Sequence, residues 1–287
     1  MTSYKIFIAD AFTSVPFRGN QAAVVPVPPD APINDHLMQT VAAEMNLSET
    51  AFVTPVGQDS SFETSSRFEL RWFTPVSEVK LCGHATLATA HALFFEENNT
   101  NDTLYFDTLS GELIVRRKED NRLEMAFPAD APEHIEDDEN AKVLVAAVLG
   151  KYKPTIELMI SPSLRYMIIY DPDCNETELA SLAPAIDKNA IEAGNRLLTN
   201  AVIVTTRGSD RDYKCRVFAP WVGIDEDPVT GSAQTVLAPF WNSRLGKTSF
   251  ISQQCSQRVG ELQVELVGSH VIVSGQTVVV LRGSISV

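Results

Sequence analysis

At 287 residues the chain has the length of two domains, and an apolar content of 44% suits a protein with a sizeable buried core. Its 23 basic and 37 acidic residues give a formal net charge of −14, which argues against a nucleic-acid binder built on a basic face. No basic amphipathic segment suggests attachment to a membrane surface, and an anionic substrate stays open because backbone N–H groups can hold one on an acidic protein.

The opening residues, Met1 to Asp10, lack the apolar core and cleavage site of a signal peptide and read as a first strand. Short apolar runs at 4–12 and 22–27 flank the turn-like Pro16-Phe17-Arg18-Gly19-Asn20. Asn34 or Asp35 is placed to cap a helix through Met45, with Leu37, Met38, Val41 and Met45 on one face. Asn46 suits a left-handed helix end, and residues 47–53 turn into another strand. Residues 57–66 form a polar, serine-rich surface loop. Strands follow at 67–73, 103–107, 112–117 and 122–127, the middle two joined through Ser110-Gly111. The acidic, proline-bearing stretch 128–140 breaks periodicity and reads as a solvated domain boundary.

The second half repeats this style. A helix at 141–149 precedes strands at 156–160 and 165–170, then short helices at 176–182 and 187–192. Strands return at 201–205, 213–218, 261–266, 270–274 and 277–282. The expected domains are 1–127, joined by strand 277–287, and 128–276. Mostly antiparallel strands around buried helices make an α+β protein and not a doubly wound one.

Two stretches look like copies. Lys80-Leu81-Cys82-Gly83-His84-Ala85-Thr86-Leu87-Ala88 follows Arg71-Trp72-Phe73-Thr74-Pro75, and Asp227-Pro228-Val229-Thr230-Gly231-Ser232-Ala233 follows Arg216-Val217-Phe218-Ala219-Pro220. The arginines are 145 positions apart (216 − 71) and the glycines 148 (231 − 83), close to half the chain. This spacing predicts a duplicated strand–loop–helix unit and two pseudo-symmetric halves. Leu87, Ala88, Ala90, Leu93, Phe94 and Phe95 spread around one helix, and Ala233, Val236, Leu237, Phe240 and Trp241 around the other. Helices apolar on every side are buried on every side, and neither reaches the ~18 apolar residues needed to cross a bilayer. Each first turn offers unpaired N–H groups and a positive dipole end to a carboxylate or phosphate. Two such ends facing across a cleft would form one anion-binding active site; the plainer reading is that Gly83 and Gly231 serve only to turn the chain tightly.

Common site motifs are missing. No GxGxxG follows a strand, no P-loop occurs, His84 and His91 are not a zinc-protease pair, and no GxSxG elbow is present. Cys82, Cys174, Cys215 and Cys255 show no CxxC spacing, so neither a zinc site nor a disulfide framework is indicated, and a reduced, cytoplasmic protein is the simplest expectation. The five histidines show no ligand spacing with carboxylates, which leaves a site expected to need no metal and no cofactor. Glu49 ranks first as general acid/base, because a carboxylate flanked by Leu47, Ala51 and Phe52 gains proton affinity by desolvation; the alternative is an exposed glutamate. His84, inside a helix N-terminus, is expected to be neutral and able to donate to a substrate, or else packed structurally. Asp227 caps its turn or orients a substrate, and Ser232 is an N-cap or a carboxylate contact.

Phe17-Arg18-Gly19-Asn20, Glu44 through Thr50, Arg71 through Pro75, Cys82 through Ala88 and Asp227 through Ala233 together resemble the phenazine-biosynthesis isomerase family, in order and over essentially the whole chain. The resemblance, strongest to animal members, implies a diaminopimelate-epimerase-like fold: two halves, each a mostly antiparallel sheet curled around a central buried helix, with the site between them. It implies catalytic roles for Glu49, His84 and Asp227 and substrate contacts from Asn20, Gly83, Thr230, Gly231 and Ser232. It also implies a homodimer, no cofactor, and in the animal members a protein partner. Related epimerases use two cysteines; Cys82 sits near the first position, but the second motif has none. The expected function is therefore a cofactor-independent isomerase acting on a small carboxylated substrate. A partner-binding protein on the same fold and an epimerase or racemase are its rivals.

Overall fold

A computed structural model describes residues 2–57 and 60–287. Met1, in the expected first strand, and Gln58 and Asp59, in the expected polar loop, lie outside the described residues. Contacts divide the chain into one unit of Met1–Ala126 with Ser274–Val287 and a second of Phe127–Val273. The architecture is α+β.

The chain runs through β1 (Ser3–Ala11), β2 (Asn20–Pro26), α1 (Asp35–Met45), β3 (Thr50–Pro55), β4 (Arg67–Phe73), β5 (Glu78–Val79) and α2 (Gly83–His91). A π-helical turn (Ala92–Glu96) extends α2, and β6 (Thr103–Thr108), β7 (Gly111–Arg117) and β8 (Leu123–Pro128) follow. Next come β9 (Glu133–His134), α3 (Glu139–Leu149), β10 (Glu157–Ile160), β11 (Tyr166–Tyr170), α4 (Glu176–Ser181), α5 (Lys188–Leu197), β12 (Ala201–Arg207) and β13 (Tyr213–Ala219). A 3₁₀ turn (Pro220–Val222) leads to β14 (Ile224–Asp227), α6 (Ala233–Leu245), β15 (Ser249–Gln254), β16 (Gly260–Val267), β17 (His270–Gly275) and β18 (Thr277–Ser286).

Local chemistry sets most of these boundaries. Asn34 caps α1 by accepting from the Leu37 N–H at 2.9 Å, and Asn46 ends it at φ 49°. Asp187 caps the start of α5 by accepting from Ala190 N–H, and the helix runs to Leu197, beyond the expected 192, where Leu198 ends it in the left-handed conformation at φ 54°. Strands β14 and β15 were not expected; the first is short and acidic, and the second is half polar (Ser249, Ser252, Gln253, Gln254). The stretch 128–140 is also more ordered than its charge suggests. Asp130 is buried and accepts from the Ser163 and Leu164 amides at 3.1 and 2.8 Å, while its own N–H donates to Thr235 O. That carbonyl is the one Pro239, lacking an N–H inside α6, leaves open.

The duplication is visible in strand order. In the first unit β1–β2 is antiparallel, β2–β3 parallel, β3–β4 antiparallel, β4–β6 parallel and β6–β7 antiparallel. In the second, β10–β11, β11–β12, β12–β13, β13–β15 and β15–β16 repeat that series of directions. Short hairpin partners β5 and β14 occupy matching places on β4 and β13. The paired arginines match too. Arg71 makes two hydrogen bonds to Glu78 (2.7 and 2.9 Å) and lies over Phe73; Arg216 makes two to Glu226 (2.7 and 2.8 Å) and lies over Phe218.

Each unit encloses one of the two apolar helices. Residues 84–90 of α2 are all buried, and the helix packs on β1, β2, β3 and β18. Residues 233–241 of α6 are buried except Pro239, with Trp241 stacked on Tyr213 at 5.6 Å. Neither Gly83 nor Gly231 has a positive φ, so neither is required by a left-handed backbone, and Gly231 lies in a turn, its carbonyl accepting from the Gln234 N–H at 3.1 Å. Among the described residues no helix is long and apolar enough to cross a membrane.

Candidate active site

In the first unit the site grows from two junctions. Asn46 takes the left-handed conformation that ends α1, and the chain reverses through Leu47-Ser48 into β3. Glu49 is fixed just before that strand, its carbonyl accepting from the Ala23 N–H at 3.1 Å. The second junction is the start of α2, where Cys82 is the N-cap residue and His84 lies in the first turn. Gly83 and His84 lie where no preceding helical carbonyl can accept their N–H groups.

The His84 ring is the hub. Its Nε2 lies 3.0 Å from Glu49 Oε2 and 3.4 Å from Ser48 Oγ; its Nδ1 lies 3.2 Å from the Asn20 amide and 3.5 Å from Cys82 Sγ. Asn20 is fully buried, and Glu49, Cys82 and His84 keep only 7–8% of their surface exposed. Gly19, at φ +66°, sets the turn before Asn20, and a Cβ there would meet Ala11 O at 2.1 Å.

The electrostatics correct two expectations. Burial does push the Glu49 carboxyl up, but the charge and hydrogen bonds of His84, with Ser48 and Cys82, outweigh it and hold Glu49 below its ordinary value. Burial likewise disfavours a charged His84, yet the sulfur of Cys82 and the carboxylate of Glu49 hold the ring well above its ordinary value. The Cys82 thiol is itself pushed up by burial and by the Glu49 charge. These directions favour a Glu49 carboxylate paired with a protonated His84 ring. The expected neutral His84 is disfavoured by the Glu49 carboxylate 3.0 Å away. With a proton on Nδ1, the Asn20 amide presents its oxygen to the ring, an orientation equal in shape. The sequence shows no ligand spacing between histidines and carboxylates, yet the fold brings one such pair together. Glu49, Cys82 and His84 bring one donor atom each within 4.8 Å of the others.

In the second unit the turn before α6 gathers Asp227, Thr230, Gly231 and Ser232. Asp227 Oδ2 accepts from Thr230 Oγ1 at 2.5 Å, tying the turn as a cap would. Ser232 is the N-cap residue of α6, but its side chain makes no capping bond and instead meets Tyr166 Oη at 3.1 Å. Gln254 spans the loop, accepting from Thr230 N–H at 2.9 Å and donating to Asp227 O at 2.6 Å. Tyr166 and Gln254 carried no signal in the sequence: one is an ordinary strand tyrosine, and the other ends a strand that polarity disguised.

A model of the phenazine biosynthesis-like protein family matches residues 9–283. This chain belongs to that family. The mouse phenazine biosynthesis-like domain-containing protein 2 is 41% identical over 295 residues, covering 98% of each chain. An uncharacterised isomerase of Pseudomonas aeruginosa is 43% identical over 276 residues, covering 96% of each. A solved phenazine biosynthesis protein of Enterococcus faecalis superposes with a TM-score of 0.86 at 35% identity, covering both chains completely. A probable proline racemase of Agrobacterium radiobacter, at TM-score 0.59 and 10% identity over 99% of this chain and 92% of its own, shares the fold alone. The family and its structural neighbours thus include isomerases and epimerases, and the fold is of the racemase-like α+β kind.

Proposed function

We propose that this protein is a cofactor-independent isomerase that moves a proton within a small carboxylate-bearing substrate. The observation that carries this reading is the buried contact of Glu49 and His84 at 3.0 Å, charged in opposite senses beside the first turn of α2. Glu49, resting as a carboxylate, takes the proton and returns it to another atom of the same substrate. His84, resting as an imidazolium, donates a hydrogen bond to the group on which charge develops. Positioned acid–base catalysis of this kind contributes roughly 10²–10⁴-fold. A proton shift moves no electrons between molecules, so no redox carrier is required. Family resemblance assigns Asn20 and Gly83, and Asp227, Thr230, Gly231 and Ser232, to substrate binding or orientation.

A second reading, epimerisation, is favoured by one contact. Cys82 Sγ, 3.5 Å from the His84 ring, is a further proton carrier beside Glu49. The test for both is a thermal-shift screen of small amino, hydroxy and aromatic carboxylic acids, followed by the products formed from each hit. A ligand at 100 times its dissociation constant adds about 2.7 kcal/mol of stability. A hit converted to a positional isomer supports the proton shift, and one converted to its mirror form supports epimerisation. Absence of any hit contradicts both and favours the partner-binding rival.

A further inference from the structure

We infer that Glu49, Cys82 and His84 form a binding site for a divalent cation of the zinc class, and that the bound ion switches off proton transfer at this site. The donor set is the first reason. A thiolate, an imidazole and a carboxylate are the three protein ligands zinc accepts, and soft sulfur selects against magnesium and calcium. Geometry is the second. Cys82 Sγ lies 3.9 Å from His84 Nε2, which lies 3.0 Å from Glu49 Oε2, and the three donors fall within 4.8 Å of one another. Bonds of 2.0–2.3 Å to a tetrahedral ion place donors roughly 3.3–3.8 Å apart, so Cys82, whose Sγ lies 3.5 Å from Nδ1 and 3.9 Å from Nε2 over the imidazole face, must swing toward the Nε2 edge to complete the site.

Two further features point the same way. Glu49 Oε2 is buried and faces His84 Nε2 at 3.0 Å, so a cation taking the place of the proton between them would keep both atoms paired. With Nε2 given to the ion, His84 Nδ1–H faces the buried Asn20 amide 3.2 Å away, the outer contact that orients metal-bound histidines. Coordination sends the thiol proton of Cys82 and the Nε2 proton of His84 to solvent. Three protein ligands leave a fourth position open, as in sites that exchange ligands and unlike closed structural sites.

Binding stands on geometry alone, whereas the inhibitory consequence rests on the proposed role of Glu49. The test is titration of the full chain with cobalt(II) alone, read by the thiolate-to-cobalt charge-transfer band, with zinc(II) as competitor. One equivalent should raise the band in wild type and in Cys174→Ser and Cys255→Ser, but not in Cys82→Ser. Glu49→Gln and His84→Gln should weaken binding by about tenfold or more, each variant first shown folded by circular dichroism. A missing band, a band that survives Cys82→Ser, or unchanged affinity in Glu49→Gln and His84→Gln would overturn the site. Once a substrate is known, zinc should abolish turnover and a chelator restore it. Turnover unaffected by saturating zinc would overturn the switch and leave the site. A cobalt band with no turnover of any acid would leave the metal site standing while the isomerase reading falls.

Discussion

Glu49 Oε2 and His84 Nε2 lie 3.0 Å apart, although the residues are 35 positions distant and enter from different elements. One stands at the mouth of β3 and the other in the first turn of α2, so the pair exists only in the folded chain. Removing His84 strands a buried carboxylate. His84→Ala should lose about 3 kcal/mol of stability, with Glu49→Gln in the same chain recovering part of it. Urea melts of the two single variants and the double variant should give a coupling of about 1 kcal/mol or more; additive losses would show that the two groups do not interact.

His91, two helical turns beyond His84, supplies a pH test. Burial lowers its pKa from 6.5 to about 4, with Arg282 adding to the effect and Glu96 opposing it. Its ring packs on Phe95 at 4.6 Å, and Nδ1 has no partner among the described residues. Above pH 6.5 both folded and unfolded chains hold it neutral, so it contributes no pH dependence. Between 6.5 and about 4 only the unfolded chain takes up the proton, and stability falls as pH falls, by about 3 kcal/mol in total. Chemical melts at pH 7 and pH 4.5 should show about 2 kcal/mol of that loss, and His91→Gln should flatten it.

The paired arginines differ in depth. Arg216 has 9% of its side chain exposed and also donates to the carbonyls of Leu179 and Leu182, whereas Arg71 has 21% exposed and binds Asp35 besides Glu78. Arg216→Met should therefore cost about 3–5 kcal/mol and Arg71→Met less, about 1–2. Equal losses would mean that burial does not separate the two copies.

Gly19 holds the turn that delivers Asn20 to His84. A methyl group there meets Ala11 O at 2.1 Å and Thr13 Cγ2 at 2.8 Å in a backbone conformation only glycine adopts freely. Gly19→Ala should cost about 3 kcal/mol or more, measured by urea melts, while substitution at Gly268, also at positive φ but in open space, should cost only about 1.

Much of this was legible in the sequence, because duplication writes the same physics twice. Arg71 and Arg216, spaced as Gly83 and Gly231 nearly are, announced the repeat, and the all-round apolar faces of α2 and α6 announced their burial. Asn34 and Asn46 marked the ends of α1 through chemistry local to each position. Long-range facts stayed hidden. Flanking residues suggested a raised Glu49, since nothing nearby in sequence reveals an imidazolium. Cys82 and Glu49 lack ligand spacing because the fold, not the spacing, joins them. Gln254 and Tyr166 act on the Asp227–Ser232 turn from strands whose polar or generic composition gave no sign of it.

The most direct measurement is hydrogen exchange from deuterated water into a bound acid, read by mass spectrometry for wild type and Glu49→Gln with ligand binding verified for both. Incorporation of solvent deuterium by wild type and its loss in Glu49→Gln, binding unchanged, is the expected result. Exchange at an undiminished rate in Glu49→Gln would contradict proton transfer by Glu49.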